Sequence, residues 1–172
     1  MSRPPSTGLI VPVEAARLLL APWRQRLPAA GRSLPPHVTA LWPFLPVDAV
    51  DAAVEGRLDG LLAGVPAFTF ALTRIAELAD AVVLVPEPAE PFAALTRLFW
   101  DEWPECPPFG GAYEDVAPHV VVAVDPAPAD RAAIEAALAP LLPLAARATE
   151  VLLVEEAASG ALRERRRFSL GS

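Results

Sequence analysis

The sequence predicts an α+β chain built by duplicating one unit, a helix followed by two strands. Three observations carry this. His37 and His119 are the only histidines in 172 residues, and they sit in matching phrases: Pro-Pro-His-Val-Thr-Ala-Leu-Trp-Pro-Phe over 35–44 and Ala-Pro-His-Val-Val-Val-Ala-Val over 117–124. Each histidine follows a proline and opens an apolar, β-branched run, which reads as the start of a strand. After each strand the signals come in the same order: helix, strand, turn, strand. The closing strands begin near Ala81 and Leu162, 44 and 43 residues after their histidines.

The elements follow in order. Residues 8–13 read as a strand whose Pro12 belongs at an edge or an end. Residues 14–26 have apolar positions at Ala15, Leu18, Leu19 and Trp23, a helical spacing that Pro22 bends or ends. A loop leads to the first histidine strand, which runs to about Trp42. Residues 47–63 are expected as a helix with Val50, Val54, Leu58, Leu61 and Leu62 on one stripe, started by Pro46 and Asp48 and stopped by Gly64 and Pro66. Strands are expected over 67–78 and 81–85 around an Ala79-Asp80 turn. A helix over 92–103 carries Phe92, Leu95, Leu98 and Phe99, and a Pro/Gly-rich loop follows over 104–111. The second histidine strand spans about 116–124. A helix over 129–142, a strand over 145–155 and a last strand over 162–170 complete the chain.

Composition narrows the function. The hydrophobic share of 53% is ample for a core, and one domain of residues 1–172 is expected at this length. All 14 basic residues are arginine, and the net charge is −7. That balance argues against a duplex nucleic-acid partner, which needs a basic footprint. It leaves room for a small anion in a locally positive cleft. The single cysteine, Cys106, has no metal-ligand spacing around it and reads as an inert thiol. No apolar run reaches the ~20 residues of a spanning helix, and 9–13 is too short for a signal-peptide core. The expectation is a cytoplasmic monomer with no membrane partner.

The phrases Pro-His-Val-Thr at 36–39 and Pro-His-Val-Val at 118–121 resemble the signature of the two-histidine (2H) phosphoesterase superfamily, in particular bacterial 2′-5′ RNA ligase family proteins. His-Val-Thr-Ala-Leu-Trp-Pro-Phe-Leu-Pro (37–46), Pro-Glu-Pro-Ala-Glu-Pro-Phe (86–92), Pro-Pro-Phe-Gly-Gly (107–111) and Arg-Phe-Ser-Leu-Gly (167–171) support it, so the likeness covers nearly the whole chain. It implies two pseudo-symmetric lobes whose antiparallel sheets form a central cleft with helices outside. It also implies metal-independent chemistry, with no cofactor, on a 2′,3′-cyclic phosphate or 2′-5′ phosphodiester of an RNA end or small nucleotide. The family signature is His-x-Thr or His-x-Ser, twice. This chain keeps it at His37 and Thr39 and has Val121 where the second hydroxyl belongs.

The chemistry needs one group to take a proton from the attacking water or alcohol and another to give one to the leaving ribose oxygen. Two imidazoles hold those opposite states near neutrality. A hydroxyl two residues on, sharing the strand face, donates to the phosphate. On this reading His37 and His119 are the acid–base pair, in an order left open, and Thr39 is a phosphate donor. Val121 lines the phosphate site without donating. Trp42 and Tyr113 are candidates to stack a base, against ordinary packing. Arg163, Arg165 and Arg167 alternate on the last strand, so Arg165 is a candidate phosphate contact, against a solvated strand face. The alternative is a non-catalytic nucleotide- or phosphate-binding module on the same fold, weakened by Val121.

Overall fold

The computed structural model describes residues 3–111 and 117–172. Its strands are β1 (Thr7–Pro12), β2 (His37–Leu41), β3 (Phe68–Leu78), β4 (Ala81–Glu87), β5 (Val120–Val124), β6 (Leu144–Ala148), β7 (Glu150–Glu156) and β8 (Leu162–Ser169). Its α-helices are α1 (Arg17–Leu20), α2 (Ala29–Arg32), α3 (Ala52–Ala63), α4 (Glu90–Glu102) and α5 (Pro128–Leu138). All strands join one antiparallel, curled sheet in the order β6-β3-β4-β5-β2-β1-β7-β8. The expected α+β fold is therefore present, with its two four-stranded halves meeting where β2 and β5 pair at Val38 opposite Val120.

The duplication is visible in the pairing. The repeat is shifted by one strand from the expected one: β4, expected to close the first unit, lies beside β5 as β1 lies beside β2, so each histidine strand follows the strand that opens its unit. Each repeat then sends a strand across the molecule. β3 follows α3 and pairs with β4, whereas β7 follows α5 and pairs with β1. Both histidine strands also bulge three residues after the histidine. Ala40 is the extra residue between the pairs Leu41↔Leu9 and Thr39↔Ile10; Val122 is the extra residue between Ala123↔Val82 and Val121↔Val83. A bulge breaks the alternation. It lets Leu41 and Ala123 turn into the core, although they lie two residues beyond side chains on the histidine face.

The main core collects one face of the sheet with the inner faces of the helices. Leu9, Val11, Val38, Leu84, Val120 and Leu153 meet Leu58 and Leu62 of α3, Phe92, Leu95 and Phe99 of α4, and Ile134 and Leu138 of α5. A smaller cluster of Ile10, Leu34, Leu152 and Val154, covered by Trp42 and Leu162, separates from it. Ile10 alternates with Leu9 and Val11, so this second cluster lies on the other face.

Several local expectations are revised. The helix expected over 14–26 is a chain of short turns, 3-10 at Glu14–Ala16, α1, then 3-10 at Ala21–Arg26 with Pro22 at its start. The helix expected from 47 begins at Ala52, because Asp51 is the cap: its carboxylate accepts from the Val54 N–H at 2.9 Å. The single strand expected over 145–155 breaks at Thr149. Before the break it pairs with β3, and after it with β1 and β8. β4 runs on through Pro86, and α4 opens with Pro at its first turn. Tyr113 and Val116 lie outside the described residues, and the second histidine strand, expected from 116, begins at Val120, so His119 immediately precedes it.

Candidate active site

The seam between β2 and β5 decides where the histidines go. Opposed residues of an antiparallel pair point to the same side of the sheet. From Val38 opposite Val120, one step along the strands sets His37 against Val121 and Thr39 against His119. Val38 and Val120 are fully buried in the core, so the four motif residues all project from the other face. His37 and His119 are diagonal neighbours across the seam, a relation that holds Cα atoms about 7–8 Å apart. The two rings line adjoining cavities on that face, His37 with Val121 in one and His119 with Thr39 in the other.

Each imidazole is fixed by its own chain in the same way. Nδ1–H of His37 donates to the carbonyl of Pro35 at 2.8 Å, and Nδ1–H of His119 donates to the carbonyl of Ala117 at 2.9 Å. A carbonyl only accepts, so Nδ1 holds the proton and Nε2 is left for a ligand. Both anchors are two residues upstream, and in both the proline between anchor and histidine favours the extended approach that presents the carbonyl.

The surroundings separate the two rings. Burial pushes the His37 imidazole below its ordinary range; the Pro35 carbonyl opposes this, and the charges of Arg24 and His119 add to the lowering. Arg24 lies on the 3-10 segment Ala21–Arg26, which packs against β5. Its Nη2–H donates to the carbonyls of Gly31 (3.4 Å) and Arg32 (3.2 Å), and it lines a cavity of about 310 Å³ with His37 and Val121. Burial, then the Arg17 charge, lowers its pKa, but a guanidinium stays charged. On the other side of the seam, Thr39 and His119 open into a groove of about 740 Å³ between α4, the 3-10 turn Pro108–Gly111 and the chain before β5.

The other candidate residues are placed differently. Trp42 sits on the histidine face but packs over Gly8, where a Cβ would come within 2.7 Å of its Cζ3, and it covers the smaller apolar cluster. It lines neither cavity. Arg165 lies on the opposite face and away from the histidines. A bulge between Leu153↔Arg166 and Val154↔Glu164 makes Arg165 the extra residue of β8, so the expected Arg163-Arg165-Arg167 alternation is broken. Arg165 bonds Glu55 (3.2 Å), Glu155 (3.3 Å) and the carbonyls of Val47 (3.1 Å) and Val50 (2.6 Å), which ties β8 to the start of α3. Arg163 pairs with Glu155, and Arg167 with Glu150 and Glu164.

Sequence reasoning missed Arg24 because a 3-10 path over β5 has no letter pattern. The groove-lining Arg97 and Trp100 left a trace: both fall off the apolar stripe Phe92, Leu95 and Phe99 that buries α4.

The fold agrees with comparisons to known proteins. A family model for the 2'-5' RNA ligase superfamily matches residues 9–160. A search of curated proteins finds no match. Similar solved structures include a phosphoesterase (20% identity, TM-score 0.63, covering 99% of this chain and 100% of that one). They also include Escherichia coli LigT complexed with 3'-AMP (19%, TM-score 0.62, 99% and 100%) and the Thermus thermophilus protein TT0787 (17%, TM-score 0.65, 97% and 99%). At such identities the likeness speaks for the fold. The family match over most of the length, joined to a pair of identically anchored histidines on one sheet face, places this chain in the 2'-5' RNA ligase superfamily.

Proposed function

We propose that the protein is a metal-independent phosphoesterase that opens a 2′,3′-cyclic phosphate, or a 2′-5′ phosphodiester, at an RNA end or on a small nucleotide. One observation carries the proposal: two imidazoles, each with Nδ1–H committed to the carbonyl two residues upstream, share a sheet face with Nε2 unassigned. E. coli LigT has been crystallised with 3'-AMP, ATP and NADP+, which supports a nucleotide as the ligand class.

In this mechanism His37 is the base. Burial and the neighbouring Arg24 favour its neutral form, so Nε2 takes a proton from water as the water oxygen bonds to phosphorus. His119 is the acid: its Nε2–H protonates the ribose oxygen as that oxygen's bond to phosphorus breaks. The proton states are then exchanged and reset through solvent. Thr39 donates its hydroxyl to a phosphate oxygen beside His119. Arg24, lining the cavity of His37 and Val121, supplies the positive donor where the second hydroxyl is missing. The site belongs to one domain of two lobes related by the repeat, each lobe contributing one histidine.

The test is hydrolysis of adenosine 2′,3′-cyclic phosphate by His37→Ala and His119→Ala. Each variant is expected to lose turnover by at least ~10², the usual contribution of one acid–base group, with its unfolding transition preserved. Unchanged turnover in either variant would refute the assignment.

A further inference from the structure

We propose that the groove along α4 seats a second nucleoside of the substrate, with its base on Trp100 and the phosphodiester leading to it on Arg97. This deepens the phosphoesterase reading and rests on it. The preferred ligand is then a single-stranded RNA end of two or more nucleotides.

The groove is continuous with the catalytic face, since Thr39 and His119 form part of its wall. It is far larger than a cyclic phosphate needs, about 740 Å³. The α4 residues lining it run from Phe92 to Asp101, about 14 Å of helix at 1.5 Å per residue, and Ala89 at the helix cap extends the wall. Ala89 and Ala93 keep that wall shallow, and Trp100 ends it. Trp100 is 45% exposed, a large aromatic surface left open beside an active site. Bases stack on such rings with little regard to sequence.

Arg97 supplies the second observation. Among the described residues it has no hydrogen-bond or ion-pair partner. The reacting phosphate already has Thr39, Arg24 and two histidines. An unpaired guanidinium further along the same groove fits a second anionic group, which a nucleoside cyclic phosphate without a 5′-phosphate lacks. Asp101 follows one turn later in the groove wall and disfavours a further phosphate beyond Arg97. The run from cation to aromatic to carboxylate therefore matches phosphate, base and ribose hydroxyl.

The experiment compares kcat/KM for adenosine 2′,3′-cyclic phosphate, the same compound with a 5′-phosphate, and the adenylyl dinucleotide ending in a 2′,3′-cyclic phosphate. The dinucleotide is expected to be best. Trp100→Ala is expected to lower its kcat/KM by roughly 5- to 150-fold, the worth of one stacked base. Arg97→Ala is expected to lower both phosphorylated substrates and to weaken their salt dependence. Leu141→Ala, an exposed apolar residue outside the groove, is the control. A dinucleotide no better than the 5′-phosphorylated mononucleotide, or one indifferent to Trp100→Ala, overturns the base seat. Calorimetric binding of the uncleavable dinucleotide 2′-phosphate separates the two readings. No turnover with Trp100-dependent binding refutes the enzyme assignment and keeps the seat; turnover with Trp100-independent binding does the reverse.

Discussion

Val121→Thr asks whether Arg24 fills the place of the missing hydroxyl. Val121 faces His37 across the seam as Thr39 faces His119, and it is only half-buried at a cavity wall. Threonine exchanges a methyl for a hydroxyl on the same branched frame. The hydroxyl would open toward the cavity rather than the core, so the stability cost stays below about 1 kcal/mol. One donor to a developing phosphate charge is worth ~10²–10³ in rate, or about 2.7–4 kcal/mol. With Arg24 in that role, Val121→Thr alone gains less than ~10-fold. Arg24→Leu loses ~10²–10³, and Val121→Thr added to it gains at least ~10-fold more than Val121→Thr gains alone, which gives an interaction energy of about 1.4 kcal/mol or more between the positions. The assay is kcat/KM on adenosine 2′,3′-cyclic phosphate at one pH and salt, with thermal unfolding to check each fold. A gain of ~10² from Val121→Thr alone, or full turnover in Arg24→Leu, refutes the reasoning.

Further predictions follow from the same contacts. As the base, His37 must be neutral, and its pKa lies below the ordinary ~6.5, so the acid limb of kcat/KM falls below that pH. Arg24→Leu removes a positive neighbour and moves the limb upward; a downward shift would contradict the base assignment. Below about pH 6.5 the unfolded chain binds a His37 proton that the folded chain resists, so stability declines as pH drops, by at most ~1.4 kcal/mol per unit. His37→Gln should flatten that slope in denaturant titrations. Gly8→Ala drives a methyl into the Trp42 ring and should cost about 1–3 kcal/mol of unfolding free energy. Arg165→Ala strands the buried Glu155 with Arg163 alone and removes two donors from carbonyls, for about 2–3 kcal/mol. Turnover per folded molecule should hold, and a loss of kcat/KM without a loss of stability would return Arg165 to the cleft.

The sequence was most legible where a local rule and a tertiary demand coincide. The Pro-His phrases read as strand starts because proline restricts the chain there, and the same extended approach gives each ring its carbonyl anchor. Of the expected α4 stripe, Phe92, Leu95 and Phe99 are core, whereas Leu98 is half-buried at its edge. Failures cluster where the pairing partner, rather than the letters, sets the structure. Residues 144–156 hold no proline or glycine to mark a break at Thr149, yet their neighbours change there from β3 to β1 and β8. Arg165 was misread because a bulge, invisible in an alternating string, turns it toward Glu55 and Glu155. The start at Ala52 went to the side chain that reached a free N–H, Asp51, over an equally plausible Asp48.

The crossed pairing of β3 with β4 and of β7 with β1 means that neither repeat is whole by itself. A nick at the tight reversal of 79–80 would release two pieces, each with one histidine and each with an unsatisfied strand rim made for the other. Such pieces should be inert and sticky alone and regain turnover on mixing. A single ancestral copy would have had the same need, met by trading strands with its twin.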